Sequence, residues 1–328
     1  MKKSIHVEEM VNRLVAGDRR AAARLITWVE DASEERYDVM KRIYAHTGRS
    51  MILGITGSGG AGKSTLTNHL IKEFRRQGKK VGVIVVDPSS PFSGGAFLGD
   101  RIRLQSHSQD SGVYIRSMAS RGYLGGLSRA TSDVIRIMEA MGMDVVIVET
   151  LGAGQDEIDV IHIAQTCLLV LTPNMGDDIQ ALKAGIMEIA NIIVLNKADL
   201  DGTDTCLRHL QGALSVAGMK SGQWTPRVIP TVSVGSKPEH IRGIDELTDA
   251  IAEHQEYLHK AQLMDEIKFQ RVEEELGLIF KDELQKLIFK GLKGTGKKKR
   301  YIGEILDGKN DPYSVVEEVL SDYMVPGQ

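Results

Sequence analysis

The spacing of hydrophobic positions differs between the start of the chain and its middle. Between residues 7 and 46, apolar side chains recur every three or four positions, which is the spacing of amphipathic helices. Residues 17–18 (Gly-Asp) and 31–33 (Asp-Ala-Ser) interrupt this pattern with good N-cap residues. The pattern predicts about three short helices before Gly48, which form an accessory layer rather than an independent catalytic unit.

From Met51 onward, short β-branched runs alternate with helical patterns, which is typical of βαβ units and a parallel sheet. The predicted strands are Ile52–Thr56, Val81–Val86, Val113–Arg116, Val145–Val148, Leu168–Leu171, Ile192–Leu195 and Val228–Val232. Ligands of such sheets bind beyond the carboxyl ends of the strands. Candidate functional residues are therefore expected just after each strand.

The last quarter of the chain is predicted to be helical. A helix over Ile244–Leu258 is followed by a long amphipathic helix with apolar residues from Ile267 to Ile288. Residues 293–300, read KGTGKKKR, are expected to form a solvated basic loop, with a contact to an acidic partner as the alternative. A final helix is expected to start at Asp311. This tail is too apolar for a free arm, so we expect it to pack against another copy or a partner.

Composition narrows the class of protein. The 328 residues are 42% hydrophobic and carry a net charge of −3, which favours a soluble globular protein and gives no sign of nucleic-acid or membrane binding. Cys167 and Cys206 lack metal-ligand spacing and are expected to be packing residues in a reducing compartment. Without a secretory signal or a membrane-spanning run, a cytoplasmic location is expected.

The stretch after the first predicted strand carries the main chemical signal. It reads GSGGAGKS over residues 57–64 and fits the Walker A pattern between a strand and a helix. Its glycines allow backbone amides to surround phosphates. Lys63 is expected to reach the β- and γ-phosphates, and Ser64 to bind Mg²⁺. The predicted phosphate-binding residues are Gly57, Ser58, Gly59, Gly60, Ala61, Gly62, Lys63, Ser64 and Thr65.

Acidic residues follow two other predicted strands. Asp87 and Asp100, after the second strand, are candidates for contacts to Mg²⁺ or for positioning the attacking water, although Asp100 also suits a helix N-cap. Glu149 ends the fourth strand and is expected to hold Mg²⁺ through water, with the Gly152 amide near the γ-phosphate. Together with Lys63, these three carboxylates are the predicted catalytic residues.

The sixth predicted strand ends in Asn196-Lys197-Ala198-Asp199, which fits the NKxD pattern. The Asp199 carboxylate can accept hydrogen bonds from N1–H and N2–H₂ of guanine, whereas adenine offers neither donor there. GTP is therefore favoured over ATP. After the seventh strand, Ser233, Val234 and Gly235 are expected to offer backbone amides to the guanine carbonyl.

Four motifs occur in this order along the chain: GSGGAGKS, VDPSSPFSGGAFLGDRIRL, ETLGAGQDE and NMGDDIQALKAGIMEIANIIVLNKAD. With these motifs, the chain resembles the MeaB/ArgK family of GTPases almost end to end. The resemblance implies a P-loop NTPase with a mostly parallel sheet flanked by helices and with helical extensions at both ends. The implied domains are residues 1–48, 49–260 and a dimerisation arm at 261–328.

The implied function is a homodimeric chaperone. It couples GTP binding and hydrolysis to GDP with adenosylcobalamin delivery to an acyl-CoA mutase, such as methylmalonyl-CoA mutase, and with protection of that mutase. Asp87 and Asp100 match the family's first switch and Glu149 its second, while Asp177 and Lys183 are the moving parts of a third switch. Slow turnover that the mutase accelerates is expected, with Arg101 or Lys183 repositioned by docking.

Three alternatives stay open at this point. The first is a metallochaperone GTPase, which usually needs paired Cys/His ligands or a histidine-rich stretch. The second is an ATP-dependent kinase acting on amino-acid transport binding proteins, against which the NKAD motif argues. The third is an interaction module that does not hydrolyse nucleotide, which the presence of Lys63, Ser64, Asp87 and Glu149 disfavours.

Overall fold

A computed structural model describes residues 2–87, 105–107, 109–119, 129–150, 160, 163–173, 190–216, 223–235, 238–292 and 296–321. The chain divides into two compact units, residues 1–271 and 272–328. The three-part division expected from the sequence stays a prediction. Among the described helices, none is both long enough and apolar enough to cross a lipid bilayer.

All seven predicted strands are present in one sheet. They are β1 (Met51–Thr56), β2 (Val81–Asp87), β3 (Val113–Ala119), β4 (Val145–Thr150), β5 (Thr166–Leu171), β6 (Ile192–Asn196) and β7 (Arg227–Thr231). Their order is β3-β2-β4-β1-β5-β6-β7, and every pairing is parallel. Because the strands are parallel, the loop after β1 opens at the carboxyl edge of the sheet, where ligands bind in such folds, and it is flanked there by the ends of β4 and β5.

Helices cover both faces of this sheet. The α-helices described within the first unit are α1 (Lys2–Val15), α2 (Arg19–Glu30), α3 (Arg36–Ile43), α4 (Lys63–Arg76), α5 (Arg129–Ala140), α6 (Thr203–Val216) and α7 (Ile244–Lys260). Successive strand residues face opposite sides, so Ile52 and Val146 join a core with α1, α2, α3 and α5. Leu53 and Ile147 join a second core with α4 and α7. Strands buried on both faces explain the nearly continuous apolar runs in the sequence.

The predicted N-terminal helical layer is confirmed. The side chains of Leu14, Leu25 and Ile43 are fully buried in the same core as the sheet. A buried ion pair joins this layer to α5, since Arg36 Nε lies 2.6 Å from Asp133 Oδ2. The first three helices therefore complete one face of the sheet.

The two cysteines are buried in the same unit. Burial raises the pKa of the Cys167 thiol to about 12, so this thiol stays protonated near neutral pH. This agrees with the expected role in packing.

Helix α8 (Leu263–Leu292) begins in the first unit, and the second unit continues with α9 (Lys297–Leu306) and α10 (Pro312–Ser321). Asp311 caps α10, because its carboxylate accepts hydrogen bonds from the Tyr313 and Ser314 amides at 2.9 and 3.0 Å. The predicted start of the last helix is thus confirmed.

The expectation of a basic loop is wrong for residues 297–300, which form the first turn of α9. Gly296 has φ +70°, a conformation that glycine adopts at little cost just before the helix. The lysines and arginine that follow are good helix formers. Lys298 lies over the Phe289 ring, and Arg300 pairs with Glu304 at 3.5 Å.

Candidate functional site

The loop between β1 and α4 requires glycine at two of its positions. Gly57 has φ +136°, and a Cβ there would lie 2.2 Å from the Val170 carbonyl oxygen. Gly62 has φ +96°, and a Cβ there would lie 2.2 Å from Asn196 Nδ2. Both contacts are far shorter than a Cβ tolerates. The loop is therefore clamped between β5 and the end of β6.

Lys63 is the first residue of α4 and is 5% exposed. Its ammonium group donates hydrogen bonds back across the loop to the carbonyl oxygens of Gly57 and Ser58, the latter at 2.9 Å. A positive charge and the amino end of α4 thus meet at the same loop. Both attract an anion such as phosphate.

Glu149 lies in β4 between Ile55 of β1 and Val85 of β2 and is fully buried. Its Oε1 accepts a hydrogen bond from Ser64 Oγ at 2.6 Å, and its Oε2 accepts one from Thr67 Oγ1 at 2.7 Å. A hydroxyl and a carboxylate suit Mg²⁺, which prefers oxygen ligands. The residues present therefore fit a magnesium ion beside the phosphate-binding loop.

A second group of residues joins the NKxD segment to the same loop. Asn196, which is fully buried, donates from Nδ2 to the Ala61 carbonyl oxygen at 2.8 Å and accepts at Oδ1 from Thr231 Oγ1 at 3.1 Å. Lys197 has φ +58°, and Asp199 is exposed beyond it. Asn196 thus ties β6, β7 and the loop together.

The segment after β7 approaches the loop as well. His69 Nε2, on α4, lies 2.9 Å from the Ser233 carbonyl oxygen. Ser233 Oγ is buried and has no hydrogen-bond partner among the described residues. Val234 and Gly235 are exposed next to it. This segment therefore places a buried hydroxyl without a partner among the described residues next to two exposed residues.

The segment that precedes β3 is held to α4 by polar contacts. His107 Nε2 lies 2.6 Å from Asn68 Oδ1, and burial together with the nearby Lys72 lowers the pKa of His107. The Asp110 carboxylate pairs with Arg75 at 2.9 Å, and this contact lowers the pKa of Asp110. One face of α4 therefore anchors this segment.

Several predicted site residues lie outside the described residues: Asp100, Arg101, Gly152, Asp177 and Lys183. Asp87 is the last residue of β2, but its side chain lies outside the described part of the structure.

Sequence reasoning missed Thr67, Thr231 and His69. Thr67 lies three positions after Ser64, a spacing that places both on one face of a helix, and this was the available signal.

Fold and loop together define the class. The sheet is parallel, and a glycine-rich loop joins β1 to α4. A lysine and a serine begin that helix, and a buried carboxylate lies on the adjacent strand. This is the arrangement of a P-loop NTPase.

The comparisons define the family. The family described as "Methylmalonyl Co-A mutase-associated GTPase MeaB" matches residues 22–293. A relative from Pyrococcus abyssi is 46% identical over 323 residues, covering 98% of each chain. The GTPase ArgK of Escherichia coli is 37% identical over 270 residues, covering 80% of each. The chain therefore belongs to the MeaB family of GTPases.

A solved structure supports the same fold. The crystal structure of an LAO/AO transport system kinase is similar with a TM-score of 0.69 and 26% identity, over 97% of this chain and 98% of that one.

Proposed function

We propose that the loop between β1 and α4 holds the triphosphate of GTP with Mg²⁺, with Lys63 at the phosphates and Ser64 and Glu149 at the metal. The contact between Ser64 and Glu149 carries this proposal, because it brings a hydroxyl and a carboxylate oxygen together at the positive end of α4. When bound, Mg²⁺ neutralises charge on the phosphate oxygens. In this proposal Asp87 and Asp100 contact the metal or position water, and Gly152 senses the γ-phosphate.

The base is proposed to be guanine. Asp199 follows the buried Asn196 at the carboxyl end of β6, where its exposed carboxylate is free to accept from N1–H and N2–H₂. Ser233, Val234 and Gly235 are proposed to offer backbone amides to the guanine carbonyl, and the last two of these residues are exposed. A site that pairs these donors rejects adenine because the carboxylate then loses its partners.

The partner is proposed to be an adenosylcobalamin-dependent acyl-CoA mutase. The family description names a GTPase associated with methylmalonyl-CoA mutase, and a GTPase of this kind acts by holding one loop conformation with GTP and another with GDP. We propose that this change gates cofactor delivery to the mutase and protects it, with Asp177 and Lys183 taking part in docking.

The arm at residues 261–328 is proposed to form a homodimer. On α8, Leu276, Phe280, Leu284 and Leu287 recur at helical spacing and are each about half exposed or more. An apolar stripe of this kind is typical of a protein-protein interface. A second copy is the proposed occupant.

The proposed function is tested by GTP turnover with and without candidate mutases. We expect slow cleavage alone, a faster rate with the client mutase and no cleavage by Lys63→Ala. If no adenosylcobalamin-dependent mutase binds or changes the rate, the partner assignment is wrong. If ATP is preferred to GTP, the proposed base specificity is wrong and a kinase activity like that named for the structural relative becomes the better hypothesis.

A further inference from the structure

The carboxylate of Glu149 is held by two hydroxyl groups rather than one. Ser64 donates to Oε1 at 2.6 Å, and Thr67 donates to Oε2 at 2.7 Å. Only the first of these residues belongs to the P-loop motif. Thr67 lies one turn further along α4 and is fully buried.

The direction of the Thr67 hydroxyl is informative. A threonine inside a helix commonly turns its hydroxyl back to the carbonyl oxygen four residues earlier. Here Oγ1 instead donates across to β4. A buried carboxylate oxygen is stabilised by a donor, and the hydrogen bond from Thr67 to Oε2 restricts rotation of the Glu149 carboxylate about its Cγ–Cδ bond.

This second contact becomes more important once a metal is bound. A Ser64 hydroxyl that gave its lone pair to Mg²⁺ would still donate its proton, but the metal would then set the direction of the O–H bond, and Glu149 Oε2 would still need its own donor. Thr67 keeps its donor free for Oε2 because it lies one helical turn away from the loop. Partners that orient a group at a metal commonly change metal affinity by about 10–100-fold when they are removed.

We propose that Thr67 is a positioning residue for Mg²⁺: its hydroxyl holds Glu149 in the orientation that supports the metal beside Ser64. This proposal rests on the proposed role of Glu149 at the metal. It predicts that the Mg²⁺-dependent part of nucleotide binding needs the Thr67 hydroxyl, whereas the metal-free part does not.

The test measures binding of a fluorescent, imido-bridged GTP analogue to the full chain, once with excess Mg²⁺ and once with EDTA. The quantity compared is the dissociation constant in EDTA divided by the dissociation constant with Mg²⁺, which is large when Mg²⁺ tightens binding. Thr67→Val keeps the shape of the side chain but removes the hydroxyl, and we expect it to lower this ratio by about 10–100-fold while leaving binding in EDTA unchanged. Thr67→Ser restores the hydroxyl and should restore the ratio.

Thr166→Val is the matched control, because Thr166 is also fully buried and lies at the amino end of β5 rather than at the carboxyl ends of the strands, with its hydroxyl 2.8 Å from His254 Nδ1. This variant should keep the wild-type ratio. If Thr67→Val does not fold, Thr67→Ala is read in the same way.

A wild-type ratio in Thr67→Val would overturn the role of Thr67 alone. If Mg²⁺ does not tighten binding to the wild-type chain, the proposed metal site is wrong, and the proposed role of Thr67 is then wrong as well.

Discussion

At the scale of single residues, both the backbone conformation and the neighbouring side chain require glycine at position 62. A Cβ there would meet Asn196 Nδ2 at 2.2 Å, and the residue has φ +96°. Gly62→Ala should therefore disrupt the contact between Asn196 and Ala61 and weaken GTP binding by at least about tenfold. Fluorescent GTP titration measures the effect.

Gly59→Ala is the control for this prediction. Gly59 does not have a positive φ, and a Cβ there would have no neighbour within 4 Å. The phosphate contact predicted for Gly59 uses its backbone amide, which Gly59→Ala keeps, so we expect the GTP affinity of this variant to equal that of the wild type. Equal affinities of Gly62→Ala and Gly59→Ala would contradict the account of this loop.

His254 gives a prediction about pH. Burial lowers the pKa of this side chain from 6.5 to about 4. Below pH 6.5 the unfolded chain therefore binds a proton that the folded chain does not, and the free energy of unfolding falls between pH 6.5 and 4 by up to roughly 3 kcal/mol. Above pH 6.5 this contribution is fully present.

Urea unfolding at several pH values checks this expectation. His254→Gln has no titrating group at this position, so its unfolding free energy should fall less steeply than that of the wild type over the same window. Parallel curves for the two proteins would show that His254 does not contribute.

The sequence predicts the candidate site residues that stand at motif positions, whereas the residues brought to the site by packing could not be predicted from it. Lys63, Ser64 and Asn196 stand at motif positions. Thr67 and Thr231 matter because their hydroxyls reach Glu149 and Asn196. Those contacts depend on β4 lying next to β1 and β7 next to β6, which spacing along the chain does not reveal.

At the scale of elements, the buried pair of Arg36 and Asp133 joins α3 to α5. Their side chains are 7% and 4% exposed, with atoms 2.6 Å apart. Asp133→Ala leaves the Arg36 guanidinium buried without this carboxylate, and we expect it to lower the free energy of unfolding by about 3 kcal/mol. Chemical denaturation measures this loss.

The double variant Arg36→Met with Asp133→Leu is the companion to that experiment. It removes both charges and keeps most of the apolar volume, so it should recover much of the lost stability. If Asp133→Ala is as stable as the wild type, the pair does not hold the N-terminal layer in place.

The strands β4, β5 and β6 were predictable because they are buried along their whole length and therefore read as continuous apolar runs. The last strand, β7, is exposed at Arg227 and Pro230 and gives a weaker signal. The fourth strand was predicted over Val145–Val148 and is observed over Val145–Thr150. The two differ only where Glu149 and Thr150 extend the strand into the site. The basic run at residues 297–300 was predicted incorrectly, because its helical state depends on Gly296 and on contacts to Phe289 and Glu304 that charge alone does not indicate.

At the scale of the whole molecule, the exposed stripe on α8 predicts self-association. Leu284 lies on this stripe and is 56% exposed. Leu284→Glu should convert a dimer to a monomer in sedimentation equilibrium, because a charge in an apolar interface loses its hydration. GTP turnover without a mutase should stay unchanged.

Gln285→Glu adds the same charge at an exposed neighbouring position that lies off the stripe. It should leave the dimer intact. A wild-type protein that is monomeric at all concentrations, or a Leu284→Glu variant that still dimerises, would rule out this stripe as the interface.

The most direct test of the whole account is single-turnover nucleotide cleavage by the purified chain, with GTP alone and with excess ATP as a competitor. We expect GTP to be cleaved in the presence of Mg²⁺, ATP to compete only weakly, and Lys63→Ala to abolish cleavage. Wild-type cleavage by Lys63→Ala, or effective displacement of GTP by ATP, would contradict the proposed site.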